Sequence, residues 1–331
     1  MSTDIAPLLS SGINRNEWYA EAMIPSVLDR IFHMEEMDGA YKDVFSWRGY
    51  QNPQRRGPLE AVAPGTFAWN WGKRFIPVEY ALGDIIALRD WQWDKYGIMT
   101  KVLPSKGGAL ARAHKVLREI IAAQFFQVLG FAADPAVLTT PVPTMVDGRP
   151  LFSNYHPIAR DQPGTFSNRP SVDVDLANSS YQIAAAQLRQ QPLPNVVELA
   201  NNGPNKIVVN PNQGYLAKQI LKENSNGQNW LSSQNSPSAD RTPNWAIDDH
   251  IEIIEWPYFR VSGTNATAGN ELAYNAWMLF ADSHHCYFED SQEVVINVDW
   301  IPNILAFLFV SYCRFVIGAS DPRSCYGSKG N

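Results

Sequence analysis

Apolar residues recur along this chain with two different periods. Leu110, Ala113, Leu117, Ile120, Gln124 and Val128 follow one another every three or four positions. Val116 and Ile121 widen that stripe, and Arg112, Lys115 and Glu119 lie opposite it. The spacing predicts an amphipathic helix over 107–130, opened by Gly107-Gly108 and closed by Gly130. At 1.5 Å of rise per residue it is about 35 Å long. Shorter helices are predicted over 179–191, stopped by Pro192, and over 212–223, with Leu216, Ala217, Ile220 and Leu221 inward.

Elsewhere the period is two. Phe67, Trp69 and Trp71 alternate, then Ile76, Val78, Tyr80 and Leu82, with Gly72-Lys73-Arg74 between them as a plausible turn. Residues 64–90 therefore read as a β-hairpin. A lone two-stranded hairpin does not stabilise itself in water, so this one needs a surface to rest on. Further strands are predicted at 207–209, 250–256, 273–281, 293–299 and 304–317. Near the N-terminus Trp18, Ala22, Leu28 and Phe32 recur at roughly helical spacing, interrupted at Pro25. Residues 38–64 show no steady period, and 1–63 read as an arm with few internal contacts. The whole is α+β, without the regular alternation of a doubly wound sheet.

Composition narrows the possibilities. A chain of 331 residues can bury a sizeable core. Its 12% aromatic content, with 11 Trp, marks a folded protein and suits large protein–protein contacts. The formal charge is −6, and no Lys/Arg block is present to neutralise phosphates, so the chain does not read as one that grips DNA. Three widely spaced cysteines, Cys286, Cys313 and Cys325, predict reduced thiols. The apolar run Ile304 to Ile317 is broken by Arg314 and is short for a bilayer, so no membrane role is expected.

Several motifs carry no catalytic logic. They are Trp93-Asp94-Lys95-Tyr96-Gly97, the segment from Asp147-Gly148 through Leu151-Phe152-Ser153 to His156, Ser167-Asn168-Arg169, and Lys206 to Pro211 followed by Leu216 to Leu221. Trp256 to Phe259, Ala276 to Phe280 and Arg323-x-x-Tyr326-Gly327 complete the series. Their order and spacing resemble the major capsid proteins of tailed bacteriophages, with the HK97 fold, and most closely the major head subunits of Mu-like phages. The resemblance runs from about Trp47 to the C-terminus.

The resemblance implies an N-terminal arm (1–63), an extended hairpin loop (64–90), a peripheral domain (91–144) with a spine helix at 107–130, an axial domain (145–285), and a return through the peripheral domain to the C-terminus (286–331). It implies that Trp69, Trp71, Lys73 and Arg74 of the hairpin meet an adjacent subunit, with Lys73 and Arg74 at a cationic tip. The expected activity is self-assembly, through pentamers and hexamers, into an icosahedral shell around double-stranded DNA, with no catalysis, cofactor or metal. Expected partners are a portal, a scaffold and a maturation protease, with decoration proteins left open. The expected location is the virion, after assembly in the host cytoplasm. Some capsids of this kind form Lys–Asn isopeptide bonds. Lys73 with Asn297 or Asn303 is the candidate pair, but no carboxylate base lies in 304–317, so crosslinking is not expected.

Other readings stay beside this one. The same fold serves encapsulin-like nanocompartment shells, which package an enzyme. Ser153, His156 and Asp161 could be imagined as a hydrolase site, although all three sit in one short loop without a nucleophile elbow. The bland alternative is that His156 and Asp147 stabilise a turn. His284-His285-Cys286 could bind a metal, but neighbours on a strand point to opposite faces, and Asp248-Asp249-His250 is weaker still. A carbohydrate-binding module would also use Trp and Asn, but such modules are mostly all-β.

Overall fold

The computed structural model describes residues 26–48, 50, 55–57, 61–62, 64–65, 67, 69–93, 98–131, 145–160, 163–194, 202–222, 250–259, 261–262, 272–273 and 275–330. The chain forms two compact units: residues 1–42, 75–122 and 287–317 belong to the first, and 43–74, 123–286 and 318–331 to the second.

In the first unit, a four-stranded sheet has the order β1-β8-β9-β4, where β1 is His33–Glu36, β4 Val78–Ala87, β8 Cys286–Ile301 and β9 Ala306–Ala319. β1 runs parallel to β8 and β4 antiparallel to β9, with Val78 opposite Phe315. A single helical turn, α1 (Leu28–Ile31), precedes β1, and α2 (Leu88–Gln92) follows β4. The long helix α3 spans Ile98–Gln124 and widens into a π-helix over Phe125–Gly130. It begins nine residues before the expected start and runs through Pro104 and Gly107-Gly108. Glycine within a helix costs only about 1 kcal/mol relative to alanine, which packing readily offsets.

The buried face of α3 differs from the expected stripe. Leu110, Ala111, His114, Glu119 and Ala122 are buried, whereas Ala113, Ile120 and Gln124 face solvent. Polar residues on the inner face have partners that the periodicity does not reveal. The Glu119 carboxylate accepts the Ser26 hydroxyl at 2.7 Å and the Val27 N–H at 3.2 Å. Arg118 pairs with Asp290 at 2.9 Å and lies over the Phe288 and Phe315 rings. Leu110 joins Ile86, Ile296, Phe307 and Phe309 in the core.

The second unit is built on a sheet of order β10-β7-β5-β6, where β5 is Lys206–Val209, β6 Glu252–Glu255, β7 Trp277–Phe280 and β10 Cys325–Ser328. β7 pairs antiparallel with β5 and β10, while β5 and β6 are parallel. Between β5 and β6 the chain forms α5 (Pro211–Lys222), and α4 (Asn178–Arg189) comes earlier. Pro211 at the first helical position and Asn210, whose Oδ1 accepts the Asn212 N–H at 3.1 Å, start α5 where the sequence predicts it. Ile207, Val209, Trp277, Leu279 and Tyr326 turn toward Tyr181, Leu188, Ala217 and Leu221 of the two helices. Phe280 turns the other way, onto Phe126. Leu216, expected inward, is partly exposed. A strand covered on both faces has no polar side, which is why 207–209 and 277–280 read as unbroken apolar runs.

The expected hairpin over 64–90 is not formed. Trp69–Phe75 (β3) and Val78–Ala87 (β4) are both strands, but they lie in different sheets. β3 pairs instead with β2, Lys42–Trp47. Gly72-Lys73-Arg74 is strand interior, not a turn. Its cross-strand partners explain why. The Arg74 guanidinium donates twice to the Asp43 carboxylate, at 2.7 and 2.8 Å. The Trp71 N–H donates to Ser46 Oγ at 3.2 Å, and the Ser46 hydroxyl lies 3.3 Å from the Trp71 carbonyl. The pairs 43–74 and 46–71 run in opposite senses, so β2 and β3 are antiparallel. The strands that pair are 42–47 and 69–75.

Candidate functional site

The ribbon β2–β3 carries a row of aromatic rings. Phe45 and Trp47 sit two positions apart on one strand, so they share a face. Phe45 lies 4.5 Å from Trp69 between ring centroids, Trp47 lies 5.2 Å from Phe67 and 5.6 Å from Trp69, and Tyr50 lies 5.2 Å from Phe67. All five rings are about half exposed, from 46% for Phe45 to 62% for Tyr50. Gly72 makes this packing possible. A Cβ there would come within 2.7 Å of the Phe45 ring. Five half-exposed rings in mutual contact make a contiguous aromatic surface open to solvent.

Of the four ribbon residues singled out in the sequence, Trp69 belongs to that surface, and Trp71 is half-buried with its backbone against Ser46. Arg74 is tied to Asp43. Lys73 sits at the root of the ribbon beside Asp147, with its pKa pushed down to about 8 by burial against the opposing pull of that carboxylate. Neither residue forms a tip. Phe45, Trp47 and Tyr50 lie in the stretch 38–64, which shows no steady period in the sequence. The signal for them was a short one, two aromatics at i and i+2 in a segment flanked by Gly39 and Gly49.

The root of the ribbon is seated on a buried polar knot in the same unit. Asn70, wholly buried, accepts the Arg160 N–H at 2.9 Å through Oδ1. Asp147 Oδ2 faces His156 Nδ1 at 2.7 Å, and His156 Nε2 faces the Leu151 carbonyl at 3.1 Å. His156 stacks on Phe166 at 5.3 Å, and the Arg323 guanidinium covers Phe166 at 5.0 Å. Arg323 also donates to Asp321 at 2.8 Å, to the Pro192 carbonyl at 2.6 Å, and to the Ile158 carbonyl. Asn168 donates to the Leu151 and Pro322 carbonyls at 2.6 and 3.0 Å and accepts the Ser153 N–H at 2.8 Å. Three motifs far apart in sequence, around 147–156, 167–169 and 321–327, thus meet as one hydrogen-bonded core.

That arrangement leaves the Ser153/His156 hydrolase geometry unassembled. Both His156 nitrogens are engaged by Asp147 and Leu151, and Ser153 is buried with its Oγ accepting the Tyr155 N–H. Asp161 lies outside the described residues, as do Asp248 and Asp249. His284 Nδ1 accepts the Cys286 N–H at 3.3 Å, and burial lowers the pKa of His285. Among the described residues no group of three or more His, Cys, Asp or Glu side chains could hold a metal ion. The three cysteines are free and buried. No described helix is long and apolar enough to cross a membrane.

No family model and no curated protein matches the sequence. Solved structures do match the fold. The capsid of cyanophage P-SCSP1u aligns over 92% of this chain and 87% of its own, with a TM-score of 0.54 at 11% identity. The capsid of a native GTA particle aligns over 92% and 90%, at 0.52 and 11%. The capsid of the Myoviridae phage XM1 aligns over 93% of both chains, at 0.51 and 10%. The chain therefore has an HK97-like α+β capsid fold over nearly its whole length.

Proposed function

We propose that this chain is the major capsid protein of a tailed bacteriophage or prophage, of the Mu-like kind. Copies associate as pentamers and hexamers into an icosahedral shell that encloses double-stranded DNA without reading its sequence. One coincidence carries the proposal. A chain with the capsid fold also presents an exposed five-ring aromatic surface on a two-stranded ribbon, an element too small to hold its shape far from a supporting surface. The occupant of that surface is another copy of the chain. Contacts repeated head to tail close into a shell when their rotation closes.

On this reading the first unit is the peripheral domain, with α3 as its spine, and the second unit is the axial domain. The net charge of −6 suits a wall that encloses DNA without gripping it. The protein works with a portal, a scaffold and a maturation protease, and catalyses nothing itself. It assembles in the host cytoplasm and resides in the virion. Negative-stain microscopy of the purified protein tests the proposal. Uniform hollow particles or capsomer rings are expected. A monomer that persists at high concentration overturns it, and native particles filled with a protein cargo instead of DNA would mark a nanocompartment.

A further inference from the structure

The seat of the ribbon on its own subunit contains two polar groups that burial does not suit. Asn70 is wholly buried, and only its Oδ1 is used, by the Arg160 N–H. Its Nδ2 has no acceptor among the described residues. An amide donor removed from water without a partner disfavours the state that buries it. Three residues on, the Lys73 ammonium is desolvated more than the Asp147 carboxylate compensates. That carboxylate is shared with His156 behind it and with the Arg149 N–H at 3.1 Å. From the ribbon itself, Asp43 and Arg74 stand nearby, already bonded to each other.

We infer that the ribbon is latched against its own subunit in a polar-frustrated seat, so that its release, not its docking, relieves Asn70 and Lys73. The inference rests on the reading of the ribbon as the arm that engages a neighbouring copy, and it names how that arm is regulated. Frustration keeps the latch weak enough for a neighbour's surface to displace it. Lys73 and Asn70 are positioning residues in this scheme.

The latch has a pH signature with a fixed sign. A released Lys73 in water titrates at its ordinary 10.5, and the docked one at about 8. Between these values the released state binds more protons, so docking strengthens as pH rises through that window. At neutral pH the charged lysine favours release.

Amide hydrogen exchange on unassembled full-length subunits tests this, with rates corrected for intrinsic base catalysis. From pH 7 to pH 9, exchange in 42–47 and 69–75 is expected to slow about tenfold, one unit of the linkage. In Lys73→Met, which keeps the apolar stem, the same amides are slow at both pH values and show no such dependence. Amides of β7 respond to neither change. Ribbon exchange that is equal at pH 7 and 9 in the wild type, or faster in Lys73→Met, overturns the latch. Microscopy of the same samples separates the two ideas. A pH-responsive ribbon on subunits that never assemble sinks the assembly reading alone, and shells whose free subunits show a flat profile sink the latch alone.

Discussion

Asp147 Oδ2 lies 2.7 Å from His156 Nδ1, and both side chains are essentially without solvent contact. The pair closes the turn at 145–150 over the knot that also holds Asn168 and Arg323. Buried pairs contribute little net stability when made, but removing one partner strands the other.

Asp147→Ala should therefore lower the stability of the second unit by about 3–5 kcal/mol, the cost of leaving His156 Nδ1 buried without its partner. Calorimetric unfolding checks it. A shift of the transition by less than the equivalent of ~1 kcal/mol would show that His156 finds other partners.

Gly327→Ala probes the other side of the same knot. An added Cβ would stand 2.9 Å from the rings of Phe131 and Phe152, which pack tilted against each other at 4.6 Å between centroids. Both rings are fully buried and have nowhere to move. Overpacking of this kind costs about 1–3 kcal/mol, measurable by denaturant titration. A wild-type midpoint would mean that the strand shifts to make room.

His114 links α3 to β9 through a buried chain of donors. The Ser311 hydroxyl donates to the Leu82 carbonyl at 3.0 Å, so its oxygen receives His114 Nε2–H at 2.9 Å, and Nδ1 accepts the Cys313 thiol at 3.3 Å. That relay needs the neutral ring, and burial lowers the His114 pKa below 6.5. The unfolded chain then binds the proton more readily than the native one. The contribution to stability is complete above pH 6.5 and is lost as pH falls through the lower native value. His114→Gln should flatten the acid limb of the stability profile of the first unit. An unchanged limb would assign the acid sensitivity to other groups.

Trp47→Ser tests the aromatic surface. The ring is 48% exposed and packs only against its ribbon neighbours Phe67 and Trp69 among the contacts described. Its loss should change subunit melting little but weaken association by about 2 kcal/mol or more per contact, roughly thirtyfold. Light scattering of assembling subunits reads it. Wild-type assembly kinetics would remove Trp47 from the interface.

Much of the element content was legible in the residues. Local periodicity and capping chemistry specify α4, α5 and the apolar strands β5 and β7, because those signals lie within a few residues of the element they describe. The order of the motifs was likewise enough to imply a capsid fold, which the solved capsids share. What the residues left undecided is which strand pairs with which, and which face of α3 turns inward. β3 alternates equally well beside β2 or β4, and only the contacts of Asp43 with Arg74 and Ser46 with Trp71 choose between them. Glu119 reads as part of a solvated face until Ser26, distant in sequence, arrives to bond it, and nothing local marks His114 as the partner of Ser311. Pairing energies between remote residues depend on the folded path of the whole chain, and no local pattern contains that path.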